Sequence, residues 1–154
     1  MTRRRCSAGR VMSAEILCII EIPSVTAYGF VPETLGADGT DPLGVIVAVS
    51  QPTLPGGAVS ARPVAVIEIS DQGEREPKVL CVACGDPNWR HVAGLDDLPD
   101  QLVDEVADFI VGHLRLQGRE VEVVGWSSYE DAKRVIREAQ ERFRENHPGA
   151  TPLP

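Results

Sequence analysis

The hydrophobic period of the chain changes close to residue 94. Before that point, apolar runs rich in valine and isoleucine lie between Pro/Gly turns, which predicts β-strands at 16–22, 45–49, 59–69 and 79–84. After it, apolar residues recur at helical spacing, namely Leu102, Val103, Val106, Phe109, Ile110 and Leu114. Strands followed by helices predict an α+β fold, in which a β-barrel or curled sheet carries two helices.

Both helices have recognisable ends. Pro99 follows two aspartates and a leucine and is placed in the first turn of the first helix, which Gly118 closes. A short strand then leads to the second helix. Ser127 and Glu130 have the spacing of a capping box, so we expect the second helix to begin there.

The length of 154 residues suits one domain with its own hydrophobic core. We expect this domain to occupy 12–147. Residues 1–11, which contain the basic run of three arginines, are expected to form a flexible extension, and 148–154 a loose tail.

The net charge of −8 makes binding to nucleic acid or to an anionic membrane surface unfavourable. No apolar run approaches the roughly 20 residues that a membrane helix needs, and the run at 16–20 is only strand-sized. A signal peptide is not evident, and the four cysteines are scattered through the chain. These features predict a cytoplasmic protein with free thiols.

Cys81 and Cys84 form a C-x-x-C pair, which can mark half of a zinc site or a redox pair. The pair lies in a β-type run, where residues three apart point to opposite faces of the strand. A second C-x-x-C or a nearby pair of histidines is absent from the sequence. We therefore favour a packing role for both cysteines.

The stretch GADGTDPLGVIVAV at 36–49 places Asp38 and Asp41 in a Gly/Pro turn just before a strand. Carboxylates in such a turn suit acid chemistry or a metal ion. They are equally typical of solvated turns, in which Asp bonds to its own backbone. Gly44, the next residue able to face the same place, has no side chain.

The order of motifs after Met12 resembles that of soluble (family I) inorganic pyrophosphatase, and the resemblance covers most of the chain. It rests on IEIP at 20–23, YGFVPETLG at 28–36, the Asp-Pro-Leu turn at 41–43, RPV at 62–64, SD at 70–71, KVL at 78–80, DP at 86–87, His91, LDDLP at 95–99, GREVEV at 118–123 and GW at 125–126. The resemblance implies a five-stranded OB-like barrel with helices packed outside, either complete or shortened and open.

The family hydrolyses pyrophosphate with several Mg²⁺ ions held by Asp and Glu. The resemblance places Asp41 on the catalytic base of the family, and Asp71 and Glu76 on metal ligands. Asp38 becomes a further ligand if the turn is shifted by one inserted residue. The substrate-binding positions of the family correspond to Glu21, Tyr28 and Lys78.

Several family positions are altered in this chain. Gly44 stands where an Asp bridges two metals, and His113 and Leu114 replace a Tyr-Lys pair that binds phosphate. Between Pro23 and Tyr28 only four residues remain of a long stretch that supplies a Lys, a Glu and an Arg. The active site is therefore predicted to be degenerate.

Two interpretations stay open for the carboxylates of the site, and two for His113. Asp41, Asp71 and Glu76 either hold one weakly bound Mg²⁺ or are solvated turn residues. His113 lies on the apolar stripe of the first helix. It is either a satisfied core histidine or a general acid or base paired with Asp41.

We predict a pyrophosphatase-like protein whose site is reused for acid–base chemistry on a small, less charged organic substrate. Efficient hydrolysis of diphosphate is not expected. The alternatives are a weak residual Mg²⁺-dependent diphosphatase and a non-catalytic binding or regulatory subunit. A shortened barrel would expose strand edges, so we also expect a homo-oligomer, for which the resemblance suggests a hexamer.

Overall fold

The structure is a computed structural model that describes residues 15–22 and 26–149. The predicted extension at 1–11 and most of the predicted tail lie outside these residues. The secondary structure is β1 (Ile16–Ile22), β2 (Thr26–Val31), β3 (Leu43–Ala48), β4 (Ala58–Asp71), β5 (Glu74–Ala83), α1 (Asp100–Leu116), β6 (Val121–Ser127) and α2 (Tyr129–Asn146), with short 3-10 turns at Pro87–Trp89 and Leu95–Asp97.

The first five strands form a closed ring. Their order is β1-β2-β3-β5-β4, and β1 also pairs with β4. The β3–β5 pair is parallel and the other pairs are antiparallel. The long β4 closes the ring, because its first residues pair with β1. Its last residues extend beyond the β1 pairing and pair with β6.

The closed ring confirms the predicted α+β fold with an OB-like barrel and two helices. It also answers whether the barrel is open: β1 and β4 pair, so the barrel closes. We expected exposed strand edges of an open barrel to drive the formation of a homo-oligomer. This reason was wrong, because the barrel is closed. The homo-oligomer stays a prediction that rests on the resemblance alone.

Alternating residues of the strands contribute to two apolar clusters. In β3, Val45 and Val47 belong to one cluster and Ile46 and Ala48 to the other, as the two-residue period of a strand requires. Residues of α2 complete the first cluster, and residues of α1 complete the second. Each helix therefore covers a different apolar surface of the sheet.

The predicted helix α1 is confirmed, with Val106, Ile110 and Leu114 buried. The predicted start of α2 was wrong by one residue. Its N-cap is Ser128, whose side chain accepts from the backbone N–H of Asp131. Ser127 instead ends β6. The strand continues further than the sequence pattern indicates and shifts the helix start.

Strand β2 was not predicted, because the strand is short and Gly29 interrupts its side-chain pattern. Its alternate residues are buried and it pairs with both β1 and β3. Gly29 is required there, since a Cβ would collide with the carbonyl oxygen of Ile19. This strand carries Tyr28 into the candidate site.

The described cysteines are Cys18, Cys81 and Cys84, and none of these three forms a disulfide. Cys81 is buried beside Cys18, and this burial raises the pKa of its thiol well above the ordinary value. Cys84 lies just beyond the end of β5. Among the helices in the described part of the chain, none is long and apolar enough to cross a membrane.

Candidate active site

Tyr28, Gly44 and Lys78 come together where β2, β3 and β5 run side by side. Gly44 pairs with Phe30, and the next residue along β3, Val45, pairs with Val79 of β5. The Lys78 ammonium donates to the Tyr28 hydroxyl at 3.0 Å and to Glu76 Oε1 at 3.2 Å. The side chain of Lys78 is only 4% exposed, so this ammonium is held inside the site.

Gly44 marks a space that is already filled. A Cβ at this position would lie 2.8 Å from Lys78 Nζ and 2.9 Å from the Tyr28 hydroxyl. Any side chain here therefore forces the Lys78–Tyr28 pair to move. The carboxylate that the resemblance places at this position has no room in the present arrangement.

Arg119 joins the two remaining carboxylates of the site. Its Nε donates to Asp71 Oδ2 at 2.8 Å and its Nη2 donates to Glu76 Oε2 at 2.6 Å. These bonds raise the pKa of Arg119 above the ordinary value, with the bond to Glu76 contributing most. The predicted metal ligands Asp71 and Glu76 are thus brought together, but around a guanidinium.

The role of Arg119 was not predicted. The sequence did contain a signal, because Gly118 at the end of α1 fixes the direction in which the next residue leaves the helix. Since the strand after it pairs with the end of β4, Arg119 is carried towards Asp71.

His113 packs against the aromatic wall of the site. Its ring centroid lies 4.7 Å from that of Tyr28, and it stacks on Phe109 at 5.9 Å. Burial lowers the pKa of His113 from its ordinary value of 6.5, and Lys78 lowers it further, whereas Glu21 acts in the opposite direction. The imidazole is therefore largely neutral at neutral pH. Glu21 itself is exposed.

The two aspartates of the turn lie at its exposed surface. Asp38 Oδ1 accepts from the backbone N–H of Thr40 at 3.0 Å and of Asp41 at 3.4 Å. The bond from Thr40 is the main cause that lowers the pKa of Asp38, and Arg119 adds a smaller effect. The carboxylate of Asp41 forms no hydrogen bond or ion pair within residues 15–22 and 26–149, and the structure does not bring it into contact with His113.

The donor set of the site does not fit a multi-metal centre. In the described residues, no group of three or more His, Cys, Asp and Glu side chains is arranged to hold a metal ion. Asp71 and Glu76 are engaged by Arg119, and Glu76 is also engaged by Lys78. A hard cation such as Mg²⁺ needs several free oxygens at once.

The comparisons with known proteins agree on one family. A family model described as inorganic pyrophosphatase matches residues 7–144. An inorganic pyrophosphatase of Haloferax volcanii is 41% identical over 120 residues, which cover 77% of this chain and 67% of the relative. One from Methanosarcina mazei is 38% identical over 118 residues, covering 77% and 69%.

Solved structures agree with these sequence matches. An inorganic pyrophosphatase from Neisseria gonorrhoeae has a TM-score of 0.75 at 29% identity, covering 89% of this chain and 95% of the other. The enzyme from Thermus thermophilus has a TM-score of 0.78 at 24% identity, covering 94% and 99%. The second match shows the fold alone.

Proposed function

Because the chain belongs to the inorganic pyrophosphatase family, we propose that it keeps the barrel of the family but uses its altered site for acid–base chemistry on a small organic substrate of low charge. The supporting observation is that the charges of the site are paired with each other. Asp71 and Glu76 are paired with Arg119, and Glu76 is also paired with Lys78. Two negative and two positive groups cancel.

This pairing disfavours a highly charged substrate. Diphosphate requires several uncompensated cations or metal ions, because burying its charge without them is costly. Lys78 and Arg119 would have to abandon Glu76 and Asp71 before they could bind it. A substrate with little charge makes no such demand on the four groups.

The proposed chemistry centres on His113, with the residues of the predicted substrate pocket around it. A neutral imidazole beside Tyr28 accepts a proton from the substrate at neutral pH. Lys78 donates to the Tyr28 hydroxyl and thereby fixes the orientation of this hydroxyl group in the site. Asp41 is proposed as the second acid–base group, and it would act on the substrate without contacting His113 directly.

A weak Mg²⁺-dependent diphosphatase is the second candidate, favoured by the 41% identity to a protein named inorganic pyrophosphatase. It would need one Mg²⁺ on Asp71 and Glu76, with Asp41 or Asp38 as a further ligand. As the site is arranged, these carboxylates do not fit the ion. Apart from the reaction, we propose that the protein is cytoplasmic and forms a homo-oligomer.

Phosphate release from pyrophosphate in the presence of Mg²⁺ tests the proposal. The protein and an intact family member are assayed side by side at equal concentration. We expect this chain to release phosphate far more slowly. Turnover similar to that of the intact member would overturn the proposal and favour the second candidate.

A further inference from the structure

Asp71 and Glu76 flank the turn between β4 and β5, and both bind the same guanidinium. We propose that Arg119 is a built-in cation that occupies the place of a divalent metal ion, so that these carboxylates bind a metal only when the guanidinium is removed. The inference rests on the same site as the proposed function, but it concerns metal binding and not the reaction.

The position of Arg119 is fixed by the end of α1. The backbone N–H of Gly118 donates to Arg115 O at 2.9 Å, and that of Arg119 donates to Leu114 O at 2.9 Å. These two bonds, with Gly118 at a φ of 79°, form the Schellman motif that ends many helices. The backbone of Arg119 is therefore held by the end of the helix and does not belong to a flexible loop.

A second anchor holds the chain directly after Arg119. Val121 pairs with Asp71 in the β4–β6 ladder, so the two strands hold the backbone of Arg119 close to that of Asp71. The fork of N–H donors then reaches two carboxylates from different strands at once, a geometry for which Arg is better suited than Lys. Arg119 thereby bridges the two carboxylates as a metal ion would.

Three of the four oxygens of the two carboxylates each accept a hydrogen bond from a cation. Arg119 engages Asp71 Oδ2 and Glu76 Oε2, and Lys78 engages Glu76 Oε1. Among the described residues, Asp71 Oδ1 is the oxygen of this pair that makes no hydrogen bond. A hard ion needs several oxygens and would have to displace a cation that is already bonded to both groups.

Removal of Arg119 changes this balance. Glu76 would then keep one cation, Lys78, Asp71 would keep none, and the two carboxylates would regain two free oxygens. Asp38 lies within electrostatic reach of the guanidinium, so its carboxylate adds negative charge to the same region. The net charge at the site becomes negative, which favours a divalent cation.

The test is a calorimetric titration of Mn²⁺ into the full chain, the Arg119→Met variant and the Arg115→Met variant. Arg115 is exposed in the last turn of α1 and makes no ion pair with any described residue, so its variant loses the same charge next to the site but outside it. We expect Arg119→Met to bind one Mn²⁺ at least about tenfold more tightly than the other two. Asp71→Asn added to Arg119→Met should abolish the gain.

Circular dichroism and thermal unfolding check that each variant is folded, and Arg119→Gln serves if the methionine variant is not. Equal Mn²⁺ affinity for the Arg119 and Arg115 variants would overturn the proposal. So would tight Mn²⁺ binding by the unaltered chain, which can be measured without any variant. Neither result depends on phosphate release, so failure of this inference can be distinguished from failure of the proposed function.

Discussion

The imidazole of His113 lies against the ring of Tyr28, with 4.7 Å between the ring centroids, and Tyr28 in turn accepts a hydrogen bond from buried Lys78. This relationship connects α1 to the barrel at the candidate site. It places a neutral base next to a hydroxyl and an ammonium. The predictions below test the parts of this arrangement separately.

The first prediction concerns pH. The pKa of His113 is lower in the folded protein than its ordinary value of 6.5, so the unfolded chain binds the proton more tightly. Stability is therefore complete above the unfolded pKa and decreases as the pH falls through the lower, folded pKa. NMR titration of the imidazole and thermal unfolding over this pH range measure both effects.

The matched control for this titration is His91→Asn, which removes an exposed histidine outside the site. His113→Asn should lose part of the acid sensitivity, whereas His91→Asn should keep it. An imidazole that titrates at or above the ordinary value in the folded protein would refute the neutral base.

The second prediction concerns Lys78. Lys78→Met keeps most of the buried volume but leaves the Tyr28 hydroxyl and Glu76 Oε1 without their donor. We expect the free energy of unfolding to fall by about 1–3 kcal/mol. Urea denaturation measures the change.

Lys133→Met is the control, because Lys133 is partly exposed on α2, pairs with Glu130 one turn away and lies over the Tyr129 ring, outside the candidate site. We expect this variant to change the free energy of unfolding by no more than about 0.5 kcal/mol. A similar loss for both variants would mean that the hydrogen bonds of Lys78 do not contribute specifically.

The third prediction concerns Gly44. Gly44→Asp introduces the carboxylate that the resemblance places at this position, but its Cβ meets Lys78 Nζ at 2.8 Å and the Tyr28 hydroxyl at 2.9 Å. We expect a loss of about 1–3 kcal/mol in stability and no recovery of phosphate release, since Arg119 still holds Asp71 and Glu76.

The control for steric crowding is Gly112→Ala. A Cβ at Gly112 meets no atom within 4 Å, and Gly112 lies inside α1, so this variant should gain about 0.5–1 kcal/mol. If Gly44→Asp alone hydrolysed pyrophosphate like an intact family member, the proposed filling of this space would be wrong.

The fourth prediction concerns metal removal. A bound metal stabilises a folded protein by mass action, in proportion to the logarithm of its free concentration over its dissociation constant. We expect equal unfolding temperatures in EDTA and in millimolar Mg²⁺. An unfolding temperature that rises steadily with Mg²⁺ would show that the carboxylates bind the ion in spite of Arg119.

Much of the fold could be predicted because its signals are local. The stripe from Leu102 to Leu114 defined α1, and the apolar run at 16–22 defined β1. Strand β2 could not be recognised, since TAYGFV is stabilised by pairing with β1 and β3 and contains a glycine. Closure of the barrel depends on the pairing of β1 with β4, which no local pattern encodes.

The candidate site was predicted only in part. Tyr28, Glu76 and Lys78 do come together, as the resemblance implied, because β2 and β5 lie on either side of β3. Asp41 and His113 do not make contact, since the turn that carries Asp41 is exposed. The ion pairs of Arg119 depend on a helix end and a strand register together, and such tertiary relationships are not visible in spacing.

The central claim is that the charges of the site are satisfied internally and leave none for diphosphate. It is tested most directly by calorimetric titration of imidodiphosphate, a non-hydrolysable diphosphate analogue, into the purified protein in millimolar Mg²⁺. The claim predicts no measurable binding at concentrations that saturate an intact family member in the same buffer. Micromolar binding that is lost in Lys78→Met would contradict it, because the site would then present free positive charge to the anion.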